Sequence, residues 1–140
     1  MITLAVGAIL LSLAVPSFQD ITMNNRLTTQ ANELISALNY ARSEAIRSGT
    51  NINTSRADTN WHNGWTIANN GGQTLRSYSA FSGTSTLVGS STTVTYQSTG
   101  LTTAAAAISF TLCDDRTGET GRTISISPTG RLSISNLNCT

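Results

Sequence analysis

The sequence predicts an α+β protein in which one long N-terminal helix packs on a small antiparallel β-sheet domain. Three observations support this. The chain is uncharged up to Asp20, a helical apolar stripe then continues to Arg47, and residues 50–140 are rich in Ser, Thr, Gly and Asn with short β-prone runs. A chain of 140 residues leaves room for one globular core once the first segment is set aside.

Residues 1–18 (MITLAVGAILLSLAVPSF) contain a segment, 4–15, that is apolar nearly all round apart from Gly7 and Ser12, whereas a surface helix would show a stripe. As a helix they extend roughly 27 Å, which is close to the hydrocarbon thickness of a bilayer. A cleaved signal peptide is the alternative, but no Lys or Arg precedes the apolar run and the helical pattern continues past Pro16. We therefore predict a membrane and assembly helix segment over 1–18, kinked at Pro16. Its apolar residues are Leu4, Val6, Ile9, Leu10, Leu13 and Val15.

Residues 19–140 are predicted to form the globular domain, beginning with the amphipathic half of the helix. Its apolar positions recur at spacings of three and four, flanked by Ile35 and Ile46, and they are Leu27, Ala31, Leu34, Leu38, Ala41 and Ala45. Gly49 follows Arg47 and offers a left-handed stop, so the helix is expected to end near Ser48.

The remainder of the chain predicts a small antiparallel sheet. Its β-prone runs are 65–68, 93–97, 107–112, 122–127 and 131–134, separated by turn clusters. The tract 122–134 predicts a hairpin, because Ile124 and Ile126 alternate with polar residues before Pro-Thr-Gly, as do Leu132 and Ile134 after it. The Ser/Thr-rich stretch 82–95 is interpreted as loop and edge strand.

Composition indicates a compartment and excludes a global electrostatic role. The net charge of +1 gives no overall attraction to nucleic acid or anionic lipid, so any anion binding must be local. Cys113 and Cys139 could form a disulfide worth roughly 3 to 4 kcal/mol. Together with a membrane-anchored N-terminus this favours an oxidising space outside the cytoplasm, the alternative being two unrelated buried thiols.

The sequence offers no catalytic constellation. His62 is the sole histidine, and no Gly-x-Ser-x-Gly elbow, metal-binding helix or phosphate loop is present. Asp114 and Asp115 could pair as carboxylates or bind calcium, but Asp-Asp-Arg-Thr-Gly after a strand is better explained as a turn. We therefore predict no enzyme, no catalytic residue, no cofactor and no metal.

These segments together resemble one protein family. The apolar start, the stretch NRLTTQANELISALNYARSEAIRSG, and the later WHNGWTI, LCDDR and GRTISISPTGRLSIS resemble type IV pilin-like proteins of the FimT/GspH family of minor pilins and pseudopilins. The resemblance implies a type IV pilin fold and an inner-membrane, single-pass protein with its C-terminal domain in the periplasm. It also implies other major or minor pilins or pseudopilins as partners, and a place in a pilus at the cell surface after assembly.

The start of the chain departs from the family pattern. A short basic leader ending in Gly, followed by Phe-Thr-Leu-Ile-Glu, precedes the helix in the family, and Met1 would fall just after that glutamate. We expect a start codon assigned too late, the alternative being a copy that cannot be processed. An in-frame stop codon immediately upstream of Met1 would exclude the first explanation.

A C-terminal Gly-Arg-x-Arg element is associated with binding of extracellular DNA in FimT-like minor pilins of naturally competent bacteria. Here it corresponds to Gly130, Arg131, Leu132 and Ser133, so the second arginine is replaced by serine. Two arginines at i and i+2 of a strand share a face and can bind adjacent phosphates.

The resemblance thus makes double-stranded DNA a candidate partner, held by its phosphate backbone without sequence preference. The candidate site is Arg131 with Gly130, and Arg122 and Arg116 are candidate replacement charges. The alternative is that these arginines form surface ion pairs with Asp114, Asp115 or Glu119.

Two functions follow from the resemblance. The first is a minor pilin that primes or caps a type IV pilus, with or without DNA capture during natural transformation. The second is a type II secretion pseudopilin of the GspH kind with a structural role only. The Thr-Gly-Arg element and the cysteine pair favour the pilus.

Overall fold

The structure is a computed structural model of residues 1–140, and it describes every residue except the side chain of Glu119. Its first element is a 47-residue helix, α1 (Ile2–Ser48), which continues through Pro16. Gly49 ends the helix in a left-handed conformation (φ 69°) and donates its backbone N–H to the Ala45 carbonyl. The predicted helix end near Ser48 is confirmed.

The two halves of α1 have opposite surroundings. The side chains from Met1 to Phe18 are exposed, apart from the half-buried Gly7. From Leu27 onward, one side of the helix is fully covered by the sheets. All six predicted stripe positions are buried, while Ile35 is half-buried and Ile46 is exposed. The stripe therefore identifies the helix face that forms the core.

Eight strands and a short 3-10 helix (Trp61–Asn63) follow α1. The strands are β1 (Ile52–Arg56), β2 (Trp65–Asn69), β3 (Thr74–Tyr78), β4 (Thr86–Gly89), β5 (Thr93–Tyr96), β6 (Ile108–Cys113), β7 (Gly118–Ile126) and β8 (Leu132–Cys139). They form two four-stranded antiparallel sheets with the orders β3-β2-β1-β5 and β4-β6-β7-β8. The sequence indicated one sheet, and the structure divides it into two.

All five predicted β-prone runs are strands, and the predicted hairpin is β7 and β8 joined by the turn at 127–131. The stretch 82–95 contains β4, an edge strand of the second sheet, as interpreted from its composition. The sequence did not predict β1 or β3. Both are polar runs, INTSR and TLRSY, whose pairing depends on distant partners.

One hydrophobic core joins α1 to both sheets. Its largest fully buried side chains include Trp61, Trp65, Tyr96 and Phe110. The rings of Trp61 and Phe110 meet edge to face with centroids 4.9 Å apart, which links the 3-10 helix to β6. His62 lies half-buried beside them, and its Nδ1 accepts the Leu87 N–H at 3.4 Å. The sole histidine is thus a packing residue.

Candidate assembly helix and arginine sites

The exposed part of α1 carries most of the exposed large hydrophobic side chains among the described residues. Besides Met1, ten large hydrophobic side chains in this part of the helix are at least half exposed. They are Ile2, Leu4, Val6, Ile9, Leu10, Leu11, Leu13, Val15, Phe18 and Ile21. By length and composition α1 is long and apolar enough to cross a membrane, near the N-terminus. An apolar surface of this size requires lipid or other protein chains to cover it.

A disulfide links two strands of the second sheet, β6 and β8, at their C-terminal ends. Cys113 at the end of β6 and Cys139 at the end of β8 are bonded, with Cα atoms 6.0 Å apart, which confirms the predicted pair. β7 lies between these two strands. It passes the bridge at Gly121, where a Cβ atom would lie 2.8 Å from the Leu112 carbonyl oxygen and would also contact the Cys139 sulfur. The glycine is therefore required by the bridge above it.

Arg116 follows the disulfide in the loop between β6 and β7, and it is held by Asp114. Its Nη2 lies 2.7 Å from Asp114 Oδ2 and its Nε lies 3.0 Å from the same oxygen. The backbone N–H of Arg116 donates to Asp114 Oδ1 at 3.0 Å, which is the predicted turn. The remaining nitrogen, Nη1, lies 3.7 Å from Asp20 Oδ1 on α1.

The Asp114 carboxylate remains ionised despite its burial. Its side chain is 4% exposed, and burial alone would favour the neutral acid. Hydrogen bonds and the positive charge from Arg116 outweigh that effect, so the pKa of Asp114 lies below its usual range. The same pairing raises the pKa of Arg116. The Arg116 guanidinium is therefore paired with the carboxylates of Asp114 and Asp20. The ion pair with Asp114 is the alternative to phosphate binding that the sequence indicated. The anticipated partner Glu119 has a side chain outside the described residues.

Arg122 and Arg131 lie far apart along the β7–β8 hairpin. Arg122 pairs with Asn136 and shares the face of the buried Ile124, since alternate residues of a strand point the same way. Arg131 lies in the turn before β8, opposite Ser127, whose N–H donates to the Arg131 carbonyl at 2.9 Å. Asn136, which pairs with Arg122, comes five residues after Arg131, which is roughly 17 Å along an extended strand. The hairpin thus does not join the two guanidinium groups.

Arg122 instead turns back on its own strand, with Nη1 donating to the carbonyls of Thr120 at 3.2 Å and Gly121 at 2.9 Å. Arg116 and Arg122 both lie toward the disulfide end of the second sheet, whereas Arg131 lies at the turn end. The structure therefore separates Arg131 from the other two candidate arginines.

The residue that lies near Arg131 is Arg42 of α1. Both line a groove between α1 and β8, together with Ile35, Asn39, Leu132, Ser133 and Ile134. Arg42 donates from Nε to the Gly100 carbonyl at 3.0 Å and from Nη2 to the Thr129 carbonyl at 3.3 Å. These bonds go to neutral acceptors, and among the described side chains no acidic residue lines the groove. Arg42 was not among the candidates predicted from the sequence, because its place beside Arg131 depends on contacts with two turns that are distant in the chain, at Gly100 and Thr129.

Gly130 has a structural role in this arrangement. Its φ is +81°, and a Cβ atom at this position would contact the Gly100 carbonyl oxygen and lie 3.0 Å from Arg42 Nε. The glycine therefore allows the hairpin turn to approach both the helix and the Gln97–Gly100 turn.

Replacing Gly130 by Ala is expected to destabilise the fold through both strain and collision. Gly72 provides the matched control, because its φ is +82° and a Cβ there meets nothing within 4 Å. We expect Gly72→Ala to cost about 1 to 2 kcal/mol for the left-handed backbone, and Gly130→Ala to cost about 1 to 3 kcal/mol more for overpacking. Urea denaturation of the full chain in detergent measures both, and equal losses would show that the close approach is absent.

A long helix that is apolar and exposed at its start and covered by antiparallel sheets at its end defines a pilin-like assembly protein. The sequence matches the family described as "Type II transport protein GspH" over residues 30–130. The chain belongs to this family. A comparison with curated proteins finds no match.

Solved structures show the same fold. The type IV minor pilin FimU of Pseudomonas aeruginosa is 28% identical in sequence and superposes with a TM-score of 0.73, covering 82% of this chain and 92% of FimU. A second crystal form of FimU gives a TM-score of 0.69. The minor pseudopilin EpsH from the type 2 secretion system of Vibrio cholerae is 14% identical, with a TM-score of 0.63 over 79% of this chain and 97% of EpsH. The type IV pilin fold and a minor pilin or pseudopilin role are therefore established, with α1 having the character of a single-pass anchor.

Proposed function

We propose that this protein is a minor pilin of a type IV pilus, held in the inner membrane by residues 1–18 before assembly and packed through them into the fibre afterwards. The observation that carries the proposal is the exposed apolar half of α1 on a covered globular domain. The likeness to FimU supports a pilus over a secretion pseudopilus, since FimU is the nearer in sequence of the two kinds of relative described above. The globular domain then faces the periplasm and later the cell surface.

Fibre composition tests this proposal. Pili sheared from cells expressing the chain with an affinity tag are expected to contain the protein at a low ratio to the major pilin. Deleting the pilus assembly ATPase is expected to remove it from the sheared fraction, whereas deleting the secretion ATPase leaves it there. The reverse pattern would assign the protein to a type II secretion pseudopilus, where its role is structural only.

We further propose that DNA capture, where it occurs, uses Arg131 together with Arg42. Arg131 is exposed at the hairpin turn, and Arg42 adds a second positive charge in the same groove. Ser133, which replaces the second arginine of the family element, adds none. Arginine pairs bind phosphate oxygens without reading sequence. Arg116 is the weaker candidate because it pairs with Asp114, and Arg122 is weaker because it lies roughly 17 Å further along the hairpin and bonds its own strand.

Substitution of Arg131 tests the DNA site. Each lost phosphate contact removes about one released counterion, so Arg131→Ala is expected to reduce the slope of log affinity against log salt by about 0.9 for duplex DNA. Arg47→Ala is the matched control, because Arg47 is exposed on the same helix as Arg42 but bonds Glu44 at 2.5 Å. Filter retention of labelled duplex DNA by the full chain in detergent measures both variants. Unchanged retention in Arg131→Ala would remove DNA capture from this groove and leave the assembly role intact.

A further inference from the structure

Arg116 contacts α1 well before the helix enters the globular core. Its partner on the helix is Asp20, whereas the first buried helix residue is Leu27. The two positions are seven residues apart in the helix, which is roughly 10 Å along its axis. Between them only Met23 is half-buried. The loop after β6 therefore reaches the helix about two turns beyond the edge of the core.

Asp114 holds the Arg116 guanidinium in the orientation that this contact needs. Nε and Nη2 both bond the Asp114 carboxylate, which leaves Nη1 pointing at the helix. Nη1 lies 3.5 Å from the Asp20 backbone carbonyl and 3.7 Å from its Oδ1. The arginine side chain is 17% exposed and that of Asp114 is 4% exposed. A planar guanidinium fixed on one edge presents its other edge in a single direction.

The loop that carries this pair is itself fastened at two points. Cys113 precedes it and is bonded to Cys139 at the end of β8. Asp115 accepts a hydrogen bond from the Thr84 hydroxyl at 3.1 Å, which ties the loop to the segment before β4. The LCDDR sequence is therefore one unit, in which the cysteine and the two aspartates hold the loop and the arginine reaches the helix.

We propose that Arg116 is a positioning residue that fixes α1 at Asp20, and so sets the direction in which the assembly segment 1–18 leaves the globular domain. Without this contact, the described residues cover α1 fully only from Leu27 onward. The six residues between Asp20 and Leu27 would then move with the apolar segment. The consequence for fibre packing rests on the proposed pilin function, whereas the contact itself does not.

The expected effect is local. Asp20 is exposed (its side chain is 66% accessible), and ion pairs with an exposed partner add little to global stability. Loss of the contact should instead increase helix opening in residues 20–26, because local stability varies along a structure. A residue that merely supported the core would change the stability of the whole domain.

Hydrogen exchange of the full chain in detergent micelles tests the proposal. In Arg116→Gln, the amides of residues 22–26 are expected to exchange at least about tenfold faster, while those of residues 31–45 keep their rates. Arg122→Gln is the matched control, since Arg122 bonds only carbonyls of its own strand among the described residues. In Arg116→Lys, the amides of residues 22–26 are expected to exchange as fast as in Arg116→Gln. A single ammonium group cannot make two bonds to Asp114 and also reach α1.

Two results would overturn the proposal: unchanged exchange at residues 22–26 in Arg116→Gln, or uniformly faster exchange across the domain. If exchange changes as expected, incorporation of Arg116→Gln into sheared fibres is measured next, with membrane content as the reference. A selective increase in exchange together with normal incorporation would confirm the contact and deny it a role in assembly. Absence of even the unsubstituted chain from pili would refute the pilin function and leave the exchange result standing.

Discussion

Removal of the Cys113–Cys139 disulfide is expected to lower the free energy of unfolding by about 3.5 kcal/mol. The two cysteines are 26 residues apart, and closing a loop of this length limits the unfolded chain by about that amount in the chain-entropy model. The bridge also holds the end of β8, an edge strand whose residues 133–136 are exposed. We therefore expect loss of the bridge to loosen the end of the second sheet first.

Urea denaturation of Cys113→Ala with Cys139→Ala, in the full chain in detergent, measures this loss. Reduction of the unsubstituted protein with dithiothreitol should give a similar decrease, and the same treatment should leave the double variant unchanged. A decrease below about 1 kcal/mol on reduction would contradict the assignment of the bridge as a main support of the fold.

An arginine in the apolar half of α1 is expected to prevent stable membrane insertion. Leu10 lies near the middle of residues 1–18 and is 62% exposed. Placing Arg at the centre of a membrane helix costs about 2.5 to 3.5 kcal/mol, and a span of this minimal length has little hydrophobic surplus. We expect Leu10→Arg to leave the membrane fraction and consequently to disappear from fibres.

Leu101→Arg is the control for this change. Leu101 is also an exposed leucine, 43% accessible, but it lies in the globular domain between β5 and β6. Fractionation of cells with alkaline extraction should place Leu101→Arg in the membrane and Leu10→Arg in the soluble or degraded fraction. Equal membrane retention of the two variants would show that residues 1–18 do not anchor the protein.

The helix and the hairpin were predictable because each repeats one pattern over many residues. The stripe from Leu27 to Ala45 is a direct consequence of burying one helix face, and Ile124 and Ile126 alternate because one hairpin face is buried. β1 lacked such a signal, since only Ile52 and Thr54 are buried in it. The division into two sheets depends on β1 pairing with β5, about forty residues later, and local patterns do not encode such a pairing.

The arginine arrangement shows a second limit of sequence reasoning. The sequence places Arg131 at the start of the strand after Pro-Thr-Gly, one residue before β8 begins in the structure. It cannot show that Arg42 donates from the helix to the Gly100 and Thr129 carbonyls. The role of Arg116 was equally hidden, because its contact with Asp20 spans 96 positions in the chain. The family resemblance identified LCDDR as a motif, whereas its physical role becomes apparent only in the folded molecule.

The exposed half of α1 is expected to pack against other pilins in a fibre. A photoreactive amino acid at position 10 detects this packing, with the same group at Val88 as control, because the two side chains are 62% and 59% exposed. In sheared fibres, position 10 is expected to cross-link to the N-terminal helix of another pilin, and position 88 is expected to give no such product. Fibres that contain the protein but yield no cross-link from position 10 to another pilin would contradict this packing.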